Sequence, residues 1–250
     1  MSGHSKWAQI KRKKGATDAK RGQLFSKLAR AIIVAARDGG PDPAGNLALQ
    51  NAIEKAREAA MPKDNIERAI ARGSGTGADA AAYETVTYEG YGPGGVALFI
   101  EALTDNRNRT AADVRHVFTK SDGNLGESGS VAWLFERKGV ILVGGDADED
   151  ELMLAAADAG ADDVEPEESS YRVTTGPENL HAVREALEAA GIPIDSAEST
   201  LLPKTLVSIE DESMARKVVR MMDELEENDD VQAVYSNFDI PERVLEAVAG

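Results

Sequence analysis

The chain has 250 residues with 28 Lys and Arg against 44 Asp and Glu, a formal net charge of −16. It contains no cysteine, which excludes disulfides, thiolate metal sites and thiol nucleophiles and fits a reducing cytosol. Apolar residues make up 42%, enough for cores in one to three domains, yet no purely apolar run is longer than that of Ala31–Ala36, far short of the ~20 residues of a membrane span.

The opening MSGHSKWAQIKRKK has the charge of a signal peptide but no apolar stretch behind it, so a cytoplasmic protein is expected. Thr17 or Asp18 can cap a helix running to about Arg37, stopped by Gly39-Gly40-Pro41. On a helical wheel Leu24, Phe25, Leu28, Ala31, Ile32 and Ala35 share one face, with Lys20, Lys27, Arg30 and Arg37 opposite. A second helix over 46–60 aligns Leu49, Ile53, Ala56 and Ala60, and Pro62 opens a third that Gly73 can cap. These helices predict a basic helical domain over 1–75, a three-helix bundle, and GSGTGADAAA then supplies a linker over 76–82.

Beyond the linker the period changes to two. YETVTYEGY at 83–91 and Val96–Thr104 read as strands joined by GPGG, followed by a helix over 108–121 and a strand VAWLF at 131–135. From 139 the order is strand, helix, strand, strand, helix, strand, that of a ferredoxin-like split βαβ sandwich, predicting an inserted domain over 138–203. Strand TLVSI, helix 212–227 and strand VQAVYSNF lack a sheet of their own. They are expected to complete the sheet begun at 83–135, giving a discontinuous domain of 83–137 plus 204–240, with a C-terminal helix over 241–250. The expected class is multidomain α+β: a helical bundle followed by two ferredoxin-like α/β sandwiches, one inserted in the other.

No enzyme constellation survives inspection. His4, His116 and His181 are too few and too scattered for a histidine metal site, and GESGS at 126–130 lacks the spacing of a nucleophile elbow. Asp146, Asp148 and Asp150 mimic half a calcium loop, but Glu151 stands where glycine is required and Ala157 where the bidentate Glu belongs. They read better as carboxylates favoured by a helix dipole. Neither an enzyme nor a cofactor is expected, and no metal, membrane or small-molecule substrate.

Charge is unevenly distributed. Residues 1–72 hold 15 Lys and Arg against 7 Asp and Glu, a net of +8, leaving −24 for residues 73–250. Charges more than ~8 Å of solvent apart are screened from one another, so one basic end can meet a polyanion. Lys6, Lys11, Arg12, Lys13, Lys14, Lys20 and Arg21 crowd together with Trp7, and Lys27 and Arg30 extend the positive face along the first helix. Phosphates are the natural counterpart because their neutralisation releases condensed counterions, and Trp7 offers a surface for base stacking. The bland alternative is a solvated basic tail. A second candidate is TDNRNRT at 104–110, where a helix N-terminus favours an anion and Arg107 and Arg109 fit phosphate. Its alternative is capping by Asn106 or Asn108 with merely exposed arginines.

MSGHSKWAQIKRKKGATDAKRGQLFSKL at the start, MPKDNIERAI at 61–70, YEGYGPGGVA at 88–97, LTDNRNRT at 103–110 and GNLGESGSVAWLFERKG at 123–139 closely resemble the YebC family. That family includes the mitochondrial translational activator of cytochrome c oxidase, and the likeness runs over essentially the whole length. It implies a three-domain, non-enzymatic protein acting in gene expression, under two descriptions. One is a DNA-binding transcriptional regulator; the other is a translation factor at the ribosome that contacts rRNA or tRNA and assists proline-rich nascent chains. No helix-turn-helix signature and no dimerising heptad are evident, so a monomer is expected and the choice stays open at this point.

Overall fold

The computed structural model describes residues 18–75, 83–167 and 170–249. The chain divides into two compact units, one formed by residues 133–206 and one by the flanking segments up to 132 and from 207 onwards.

In the flanking unit the first helices are α1 (Asp18–Gly39), α2 (Leu47–Glu58) and α3 (Lys63–Gly73). They bury Ile32, Ile33, Ala36, Leu49, Ile53, Ala56, Met61, Ile66 and Ala69 together. The buried face of α1 is wider than the expected stripe: Ile33 and Ala36 join Ile32 inside, Phe25, Leu28 and Ala35 pack against the same core, and Leu24 is 43% exposed. Asn46 joins α1 to α2. Its side chain accepts from Leu49 N (3.1 Å) as the helix N-cap and donates to Ala35 O (2.7 Å) and Gly40 O (2.8 Å). Gly73 does not cap α3, a role taken by Ser74, whose N–H reaches Ile70 O. A Cβ at Gly73 would lie 2.3 Å from Ile33 O, so this glycine is what lets α3 lie against α1.

Strands β1 (Glu84–Tyr91) and β2 (Ala97–Thr104) form the expected hairpin, in register from Glu84↔Thr104 to Tyr91↔Ala97. Helix α4 (Arg107–Lys120) and the two-residue edge strand β3 (Asn124–Leu125) follow. The sheet order is β3-β1-β2-β9, the last strand being Val231–Ser236 from the far end of the sequence. A Cβ on Gly90 would meet Asn124 O at 2.5 Å and Phe118 at 2.6 Å, so only glycine lets β3 and α4 approach β1 here. Leu98, Ile100, Val114, Phe118 and Val234 share a core with Val218, Met222 and Leu225 of α7 (Glu212–Glu226) and with Leu245 of α8 (Glu242–Ala249). The segment expected to complete this sheet does so only in part. Val207–Ser208 (β8) pairs in parallel with Phe238–Asp239 (β10) as a separate two-stranded sheet, because the chain turns away after Ser236.

The unit of residues 133–206 contains β4 (Phe135–Gly144), α5 (Glu149–Asp158), β5 (Asp163–Pro166), β6 (Ser170–Thr175), α6 (Leu180–Ala189) and β7 (Ile194–Pro203). All pairings are antiparallel, in the order β5-β6-β4-β7, which is the ferredoxin-like arrangement of a split βαββαβ chain. Ile141, Val143 and Val173 meet Leu152, Ala156, Val183 and Leu187 of the two helices. The VAWLF segment is not a separate strand. Ala132–Leu134 forms a 3-10 turn, and Phe135 begins one long strand that also contains the expected strand over 139–143. Asp148 caps α5 by accepting from Glu151 N at 3.0 Å, which accounts for the acidic run without a calcium loop.

Glu89 on β1 is almost wholly buried, at 4% exposure. It accepts from Gly129 N (2.7 Å), Val131 N and Ala132 N (both 2.8 Å), thereby fixing the glycine-rich segment that follows β3. Burial alone would raise its pKa, but the three N–H donors outweigh it and hold the carboxyl below the usual range. Glu89→Gln turns an acceptor into a partial donor facing N–H groups, and is expected to lower stability by about 1–3 kcal/mol. Denaturant unfolding checks this, together with faster amide exchange across 126–132.

Candidate nucleic-acid interface

Several of the residues nominated for phosphate contact are held by the protein itself. Asp230 lies in the turn between α7 and β9 with its side chain 5% exposed. One oxygen takes Arg30 Nη1 at 2.7 Å; the other takes Arg109 Nη2 at 2.8 Å, Thr110 Oγ1 at 2.7 Å and Thr104 Oγ1 at 3.3 Å. Arg30 also donates to Asp229 O and stands 5.6 Å from the Tyr83 ring centroid. Lys27 donates to Glu226 O, and Arg37 to Tyr83 O and Asp38. The positive face of α1 is therefore turned, at Lys27 and Arg30, against the end of α7.

The TDNRNRT segment resolves in the same way. Asn106 is the N-cap of α4, accepting from Arg109 N at 3.1 Å. Arg109 is shared between Asp230 and Asp105, both at 2.8 Å, and these carboxylates raise its pKa. Arg107 is 65% exposed and lies 3.7 Å from Glu84, a weak surface pair; Asn108 is exposed. Of the α1 residues, Arg21 is exposed. Lys6, Trp7, Lys11, Arg12, Lys13 and Lys14 lie outside the described residues, as does the side chain of Lys20. Arg107, Asn108 and Arg21 thus remain open to a ligand, whereas Lys27, Arg30, Asn106 and Arg109 serve the fold.

Sequence reasoning missed Asp230, Thr104 and Thr110. Asp230 sits in an acidic run, ELEENDD, in which nothing distinguishes the one carboxylate that is buried. Thr104 and Thr110 are the first and last residues of the TDNRNRT motif, to which the sequence assigns no role of their own. No group of His, Asp and Glu that could hold a metal ion occurs among the described residues, and none of the described helices is long and apolar enough to cross a membrane.

A helical bundle followed by two antiparallel sheets with their helices, and a buried carboxylate binding arginines from α1 and α4, defines a multidomain α+β protein. Comparison with known proteins gives it a family. Residues 5–76 match the TACO1/YebC protein N-terminal domain and residues 83–238 the TACO1/YebC second and third domain. The chain belongs to the TACO1/YebC family. A relative from Rubrobacter xylanophilus, 61% identical with all of both chains covered, is named "Probable transcriptional regulatory protein". One from Halothermothrix orenii, 54% identical over 99% of each chain, carries the same name. The crystal structure of a conserved hypothetical protein from Aquifex aeolicus is similar at 54% identity, with TM-score 0.79 over 90% of this chain and 93% of that one.

Burial raises the Asp230 pKa, but hydrogen bonds from Arg109 and Thr110 and the charges of Arg109 and Arg30 outweigh it, so the folded value is depressed. A depressed carboxylate stabilises the fold above its unfolded pKa of about 4, and that contribution is lost as pH falls through the folded value. Asp230→Ala leaves two cations without their partner and is expected to cost about 3 kcal/mol at neutral pH. The loss should shrink as the pH of the unfolding measurement is lowered below about 4.

Proposed function

We propose that this chain is a non-enzymatic, nucleic-acid-binding regulator of gene expression that grips phosphate with its N-terminal segment. The observation that carries this reading is the charge asymmetry: +8 over residues 1–72 in a chain of net −16. The names of its relatives, regulators of transcription, point in the same direction. Lys6, Lys11, Arg12, Lys13, Lys14, Lys20 and Arg21 are the contact residues in this reading, with Trp7 as a stacking platform and Arg107 and Asn108 as an accessory anion contact. The protein works in the cytoplasm as a monomer, without metal or cofactor.

DNA is the target that the relatives' names favour. A second reading, a ribosome-associated factor binding rRNA or tRNA, is supported by α1 itself. Major-groove readout needs a helix with a free polar face. In α1, Lys27 and Arg30 are occupied by Glu226 O and Asp230. Contact then falls mainly on backbone phosphate, which suits structured RNA as well as duplex DNA.

Binding of the full chain to a promoter duplex, a random duplex and an rRNA hairpin, each across a salt series, tests both readings. Lys11→Gln and Lys13→Gln are each expected to lower the log–log salt slope by about one unit for every ligand, whereas Arg30→Gln leaves it unchanged. Preference for the promoter duplex supports the DNA target, and preference for the hairpin the ribosomal one. No salt-dependent binding to any of the three would overturn the proposal.

A further inference from the structure

Helix α5 departs from the pattern of the other helices: it is apolar on two faces. Leu152 and Ala156 are fully buried against β4 and β6, while Met153 is 48% exposed, Leu154 65% exposed, and Ala157 exposed beside them. A helix apolar all round is ordinarily covered on all sides. Here the outer face is open, and its rim is acidic. Asp150 and Glu151 precede Leu154 by four and three residues, Asp158 follows it by four, and Glu149 precedes Met153 by four.

These four carboxylates are exposed and make no ion pair among the described residues. The neighbouring helix differs: on α6, Glu185 is paired with His181 at 3.2 Å and Glu188 with Arg184 at 2.9 Å. The surrounding unit, residues 133–206, holds 17 Asp and Glu against 5 Lys and Arg, a net of −12. Helix-dipole stabilisation explains acids in the first turn of α5, but it gives no reason for a leucine and a methionine in water on the same face.

The geometry points to α5 as a docking face for a basic protein surface: one that offers an apolar recess for Leu154 and Met153, rimmed by lysine or arginine. An apolar centre with a polar rim is the usual anatomy of a protein–protein contact. The charge sign chooses among occupants. Nucleic acid is repelled by the rim, and the same face of a second copy would bring acid against acid. This inference is independent of the reading of the N-terminal segment. With that reading the chain binds phosphate through one unit and a cationic protein through the other.

The test uses the full chain and an 18-residue amphipathic helical peptide of lysine and leucine, followed by isothermal titration. A control peptide carries serine for leucine at equal charge. Met153→Ser with Leu154→Ser is expected to weaken binding about tenfold or more, as is Glu149→Gln with Asp150→Asn and Glu151→Gln. Leu154→Met retains binding, and Glu185→Gln with Glu188→Gln on α6 leaves it unchanged. Unchanged thermal unfolding accompanies the Met153 and Leu154 variants because those side chains are exposed, whereas the triple amide variant, which removes first-turn acids favoured by the α5 dipole, unfolds at a slightly lower temperature. Equal binding of both peptides, or of all variants, would reduce the effect to bulk charge and overturn the inference. So would sedimentation of the wild type as a dimer that Met153→Ser with Leu154→Ser dissociates, since the occupant would then be a second copy.

Discussion

A carboxylate taken out of water must be met by cations and hydrogen-bond donors, and Asp230 meets that requirement with groups from separate parts of the sequence. Arg30 comes from α1, Arg109 and Thr110 from α4, and Thr104 from the end of β2. The helical region and the α/β sheet are thereby tied at one buried point. An isolated buried ion pair is weak evidence for stability, because desolvation offsets much of the attraction. A cluster in which each oxygen is satisfied differs in what it specifies: it fixes which surface of α1 faces the sheet. That choice then decides which cations remain for a ligand.

Much of the architecture was legible in the sequence because it rests on local signals. The hairpin of β1 and β2 follows from alternation around GPGG, and α4 lies within a residue of the expected 108–121, with Asn106, one of two candidate caps, at its start. The split βαββαβ order of residues 133–206 follows from regular changes of period. What was not legible depends on contacts distant in sequence. The broadening of the buried α1 face to include Ile33 and Ala36, with Leu24 left exposed, is set by α2 and α3, since the apolar residues of α1 extend beyond a single stripe. The assignment of Gly73 to close packing instead of a cap required knowing where Ile33 lies.

The candidate site was legible to a smaller degree, for a related reason. Positive charge is visible in a sequence, but its availability is not. Lys27, Arg30 and Arg109 looked like phosphate ligands as long as their partners were unknown. Those partners are a buried carboxylate and backbone carbonyls at positions between 226 and 230, two hundred residues from α1. A positively charged helix in an acidic chain invites internal neutralisation as readily as external binding. The distinction lies in burial, which separates Arg30 from the exposed Arg21 on the same helix.

The ladder joining β4 to β7 continues to the very ends of the unit they bound. Phe135 pairs with Pro203, and Lys204 N donates to Leu134 O at 2.8 Å. The two chain crossings are therefore neighbouring strands, separated by about the 5 Å of one sheet spacing. Loop-closure entropy rises only slowly with length, by about 0.6 kcal/mol per doubling, so the long insert adds a few kcal/mol over a direct link. Residues 133–206 are, in topological terms, a cassette. Both of their chain connections leave through a single junction, so the sheet on which the rest of the chain is built is threaded independently of them.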